Sequence, residues 1–61
     1  MSDYTVVIHE AEEGGYWAEV PALPGCFAQG ETVEETLGDS RKAIVSHLRI
    51  LKRAGQRIPR D

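Results

Sequence analysis

The side chains of this 61-residue chain that could make or break bonds are few: one cysteine, two histidines and ten carboxylates. Cys26 follows a Pro-Gly pair and precedes Phe27. As a nucleophile it would need a neighbouring base, and only folding could bring His9 or His47 to it. No local motif supports that pairing, so Cys26 reads more simply as a small, buried strand residue. His9, Cys26 and His47 stand 17 and 21 residues apart, a spacing that matches no zinc site. No metal or other cofactor is expected. Glu10, Glu19 and Glu31 could meet across neighbouring strands, and clustered carboxylates can hold Mg²⁺ for nuclease chemistry. Glutamates on the strands of an acidic protein are more simply solvated. Arg49, Lys52, Arg53, Arg57 and Arg60 could touch phosphate, but the net charge is −3 and neither a reading helix nor stacking aromatics accompany them. These residue types describe a binding module, not an enzyme.

The charges are divided along the chain. Residues 1–39 hold nine acids and no Lys or Arg, whereas residues 40–61 hold all seven bases and one acid, Asp61. A helix that carries acids early and bases late suits its own dipole, which accounts for Glu34, Glu35, Asp39 and the bases after them. It does not account for the acids on the strands. An acidic sheet repels nucleic acid and attracts a basic protein.

Three short strands and a helix must position these groups. Residues 4–11 alternate as a first strand, with Tyr4, Val6 and Ile8 on one face and Thr5, Val7 and His9 on the other. Glu12-Glu13-Gly14-Gly15 is short enough to force an antiparallel return through residues 16–20. There Tyr16, Ala18 and Val20 oppose Trp17 and Glu19, and Trp17 reads most simply as a packing residue, with an exposed anchor as the sharper alternative. Pro21 and Pro24-Gly25 make a rigid corner with Leu23 as its plug, and Cys26 to Gln29 form a third strand. Thr32 and Glu35 make a capping box for a helix over 33–54. Val33, Leu37, Ser40, Ile44, Leu48 and Leu51 form its stripe, widened by Ala43, Ile50 and Ala54. Gly38 suggests a close approach to the sheet, and Gly55 a stop. The fold class is α+β: a three-stranded antiparallel meander with one long helix on one face.

Sixty-one residues form one domain that buries only roughly 60% of its unfolded surface. An oligomer that completes the core is therefore expected. One helix covers one face of a small sheet, so Val7 on the other face and His47, Ile50 and Ala54 towards the helix end are the candidate oligomer contacts. The single cysteine, the absence of a leader-like start and the lack of a long apolar run point to a soluble cytoplasmic protein.

The string GGYWAEVPALPGCFAQGETVEE, from Gly14 to Glu35, resembles the HicB antitoxin family, and the likeness extends from Tyr4 to Pro59. The resemblance implies a compact ββ(β)α unit described as a partly degraded RNase H-like arrangement. It implies a HicA partner, a small basic mRNA-cleaving toxin of double-stranded-RNA-binding-domain fold whose active site is blocked. It also implies homodimers or homotetramers. The acidic, aromatic region Glu10, Glu12, Glu13, Tyr16, Trp17 and Glu19 would carry the toxin contact. Family members usually continue into a ribbon-helix-helix or helix-turn-helix domain. This sequence stops at Asp61, so direct DNA binding does not carry over and a stand-alone HicB-like domain over 1–61 is expected. Gly38-Asp39 stands where the family more often has alanine and asparagine.

Overall fold

A computed structural model describes residues 4–61; Asp3, counted above among the acids of the first half, lies outside the described residues. The element order is β1 (Val7–Glu10), β2 (Tyr16–Glu19), β3 (Phe27–Gly30) and α1 (Val33–Arg53). The strands form one antiparallel sheet in the order β1-β2-β3. In register, His9 faces Trp17 and Trp17 faces Gln29, while Ile8, Ala18 and Ala28 make the neighbouring row. The strands are shorter than the alternation alone predicts, because each apolar run continues past the ladder into the core. Tyr4 and Val6 still pack against the core from outside the regular strand.

Both connections follow from turn chemistry. After β1, Gly14 N–H donates to the Ala11 carbonyl and Ala11 N–H to the Gly15 carbonyl. Gly15 sits at φ +74°, and a Cβ there would lie 2.9 Å from the Gly30 carbonyl oxygen, so the tip of the hairpin and the end of β3 touch. Between β2 and β3, two turns share Leu23: its N–H donates to Val20 O, and its carbonyl accepts from Cys26 N–H. Pro21 and Pro24 each occupy the second position of a turn, where their fixed φ suits the corner, and Gly25 supplies the positive φ that follows. The corner drives Leu23 into the core, fully buried between Val20 and Cys26. Ala43, Ile44, Leu48 and Leu51 of α1 pack on that cluster. Truncating a buried leucine of this kind costs about 2–5 kcal/mol.

Helix α1 starts as the capping pattern dictates. Thr32 Oγ1 accepts from Glu35 N–H at 3.0 Å. The Glu35 carboxylate returns one residue earlier than expected, to the N–H of Glu31. At the other end, Gln56 N–H donates to Leu51 O and Gly55 N–H to Lys52 O, with Gly55 at φ +72°: a Schellman closure. The helix meets the sheet through small polar residues. Thr36 and Ser40 are buried, and their hydroxyls donate to the carbonyls of Thr32 and Thr36, so neither is left unpaired. A Cβ on Gly30 would lie 2.7 Å from Thr36 N.

The close approach therefore belongs to Gly30 of β3 and not to Gly38. A Cβ on Gly38 would meet nothing within 4 Å. Gly38 is two residues past Thr36, about 200° round the helix, and so points away from the sheet. The apolar face is also corrected: Val33 of the stripe is exposed at the first turn, and of the residues expected to widen it Ile50 is 67% exposed and Ala54 is exposed too. Asp39 gains a role that spacing alone did not suggest. Its Oδ2 accepts from Gln29 N–H, occupying one donor on the free edge of β3. The chain end returns to its start, where Tyr4 OH donates to Pro59 O and Thr5 donates from both N–H and Oγ1 to Asp61.

Candidate functional site: the uncovered face of the sheet

Alternation puts Val7, His9, Trp17, Glu19, Phe27 and Gln29 on the face away from α1, because their neighbours Ile8, Ala18 and Ala28 point at the helix. Each strand contributes one ring. His9 and Trp17 stack with centroids 4.2 Å apart and planes 19° from parallel. Trp17 meets Phe27 at 6.4 Å in a tilted arrangement. His9 Nε2 lies 2.7 Å from Glu19 Oε2, so the imidazole is held both by the indole and by a carboxylate. Trp17 remains 38% exposed and Phe27 60%. Trp17 is thus not a core residue: the core cluster is built on Val20, Leu23 and Cys26, and the indole lies on the open face.

The residues expected to contact a partner do not form one cluster: two groups share Trp17, and Glu12 and Glu10 lie outside both. Trp17 and Glu19 belong to the open face. Glu13, Tyr16 and Trp17, together with Gln29, Glu31 and Glu35, line a cleft of about 490 Å³ between the hairpin and the end of β3. Glu12 is exposed at the hairpin tip. Glu10 stands opposite Tyr16 in the row that faces the helix side, and so is separated from Glu19 by the thickness of the sheet. That separation leaves the Glu10–Glu19–Glu31 carboxylate constellation unassembled. Among the described residues, no group of three or more His, Cys, Asp or Glu is placed to hold a metal ion. The candidate oligomer contacts also fall on two surfaces: Val7 on the open face, and His47 and Ile50 on the helix with Ala54 at its C-cap.

Cys26 is buried, and burial pushes its thiol pKa up, which makes the nucleophilic thiolate scarcer. Phe27 and Gln29 complete the face, although neither was singled out as a site residue from sequence. The signal was present: in Cys26-Phe27-Ala28-Gln29 the small residues alternate with the large ones, which turns Phe27 outward once Ala28 is inward.

The family model described as "HicB_like antitoxin of bacterial toxin-antitoxin system" matches residues 4–61. A UPF0150 protein of Thermoplasma acidophilum is 48% identical over 58 residues, covering 95% of this chain and 84% of that one. A UPF0150 protein of Synechocystis is 36% identical over 59 residues, covering 97% and 75%. The crystal structure of the Burkholderia pseudomallei antitoxin HicB superposes with a TM-score of 0.82 at 29% identity. That match covers 95% of this chain but only 44% of the antitoxin, so the chain spans less than half of its length. The N-terminal domain of the same antitoxin matches with a TM-score of 0.76 at 29% identity, covering 90% of this chain and 63% of that one. No helix among the described residues is long and apolar enough to cross a membrane.

Proposed function

The chain belongs to the HicB-like antitoxin family of bacterial toxin–antitoxin systems, and from that membership we propose that it neutralises a small basic mRNA-cleaving toxin of the HicA type by protein–protein contact, without catalysis of its own and in the cytoplasm. The observation that carries this reading is the family match joined to the charge division: the strands and hairpin bear acids and no Lys or Arg. A basic partner is drawn to such a surface and oriented by it, whereas nucleic acid is repelled. The contact would draw on the acidic, aromatic region Glu10, Glu12, Glu13, Tyr16, Trp17 and Glu19. The test is affinity capture of the tagged chain from its native host with mass spectrometry of what it retains. A small basic protein encoded beside it, whose RNA cleavage stops when the chain is added, is the expected result. Capture that returns no such protein would overturn the reading.

A second reading is favoured by the helix surface, where Val45 is 51% and Ile50 67% exposed: a regulatory domain that only self-associates, with His47, Ile50, Ala54 and Val7 among its contacts. Light scattering behind a sizing column separates the two. A stable homo-oligomer unchanged by added toxin supports self-association alone.

A further inference from the structure

We infer that the docking surface for a basic protein partner is the sheet face left bare by α1, anchored by Trp17 and Phe27, with the Glu19 carboxylate on its middle strand and the hairpin acids as its charged rim; this rests on the antitoxin reading above and narrows it. Glu10 faces the other side, and Tyr16 follows the same alternation, so neither belongs to the face. Phe27, not among the residues assigned to partner contact, becomes a second anchor. Val7, Trp17 and Phe27 give the face apolar and aromatic area of the kind an interface centre has, with Glu19 between Val7 and Phe27 on the middle strand and His9 and Gln29 on either side of Trp17. Its rings already lie against one another, His9 stacked on Trp17 and Trp17 tilted against Phe27. A partner covering them therefore immobilises little that is not fixed beforehand, which lowers the entropic cost of association.

Charge selects the occupant. Among the described residues the one contact between a basic side chain and a carboxylate is that of His9 with Glu19, so Glu12, Glu13 and Glu31 meet no Lys or Arg there. The bases that could have neutralised them, Arg41, Lys42, Arg49, Lys52 and Arg53, are exposed on α1, which packs on the opposite side of the sheet. A second copy docked face to face about a two-fold axis would bring like surfaces together, acid against acid, with no Lys or Arg between residues 4 and 39 to offset them. A basic surface meets no such penalty.

The experiment measures binding of the toxin captured from the native host to purified chain by calorimetry, alongside light scattering of the chain alone. Phe27→Ala removes a 60%-exposed ring and leaves the core untouched; it is expected to weaken binding about tenfold or more, as loss of an interface anchor does. Glu19→Gln is expected to weaken it less and to flatten the salt dependence. Val45→Ala, on the helix, is expected to leave affinity within about twofold, the level of contacts outside an anchor. Circular dichroism confirms that each variant folds. If the wild-type chain binds no basic toxin, the antitoxin reading fails and this inference with it. If the wild type binds while Phe27→Ala binds equally well, or only Val45→Ala loses affinity, the inference alone is overturned. It is overturned equally if Phe27→Ala converts a dimer of the free chain into monomer, because a second copy then covers the face.

Discussion

Replacing Gly38 and Gly30 by alanine, one at a time, makes the same chemical change at two positions and is expected to move stability in opposite directions. Gly38 lies inside α1, and a methyl carbon added there would have no neighbour within 4 Å. Alanine at that position removes the backbone entropy that glycine loses in a helix, a gain of about 0.8–1 kcal/mol. A chain of this size holds about 3–9 kcal/mol in all, so the gain is a large fraction of the total. It corresponds to a rise in Tm of about 4–8 °C. At Gly30 the added Cβ would stand 2.7 Å from Thr36 N, 2.8 Å from Thr36 Oγ1 and 2.9 Å from Glu35 Cβ. One of these atoms is backbone, so the first turn of α1 must shift off β3. That shift strains the Thr32 cap and the Thr36 hydroxyl bond together. Overpacking of this kind costs about 1–3 kcal/mol. Urea unfolding followed by the single tryptophan and by helical circular dichroism, at two protein concentrations, measures both. A change in midpoint at constant slope is expected. Loss of stability in Gly38→Ala, or a neutral Gly30→Ala, would refute the assignment of the close approach to β3.

Two further outcomes follow from the same geometry. Burial raises the Cys26 thiol pKa, so a thiol reagent at neutral pH is expected to label the native chain slowly and the urea-unfolded chain fast; rapid native labelling would show the thiol to be accessible and ionised. Hydrogen bonds from the Thr5 hydroxyl and N–H hold the Asp61 carboxyl below its ordinary value of 3.8. A depressed carboxylate pKa contributes stability above the unfolded value and loses it as pH falls through the folded one. The clip between Thr5 and Asp61 is therefore expected to open only in acid, as pH falls below the ordinary carboxyl value of 3.8, and the Asp61→Asn variant to show the opened state already at neutral pH. Amide exchange at Thr5 reads both, and protection that persists in acid would count against the clip.

Much of this architecture is dictated by local chemistry. Thr32 and Glu35 mark the helix start, Gly55 its end, and Pro21, Pro24 and Gly25 the corner that buries Leu23; each acts through its own backbone or one neighbour, so no distant contact need be known. Family membership is equally local, since it resides in the string from Gly14 to Glu35. Alternation also paired Trp17 with Glu19 on one face, but it could not say which face the helix would take. Tertiary packing decided that. Gly30, Thr36 and Ser40 are small enough for α1 to settle on β3, which leaves Trp17, His9 and Phe27 on the open side and Glu10 apart from Glu19. Side-chain volume at one contact, between a strand and a helix, selected the exposed surface; periodicity within either element carries no information about the other.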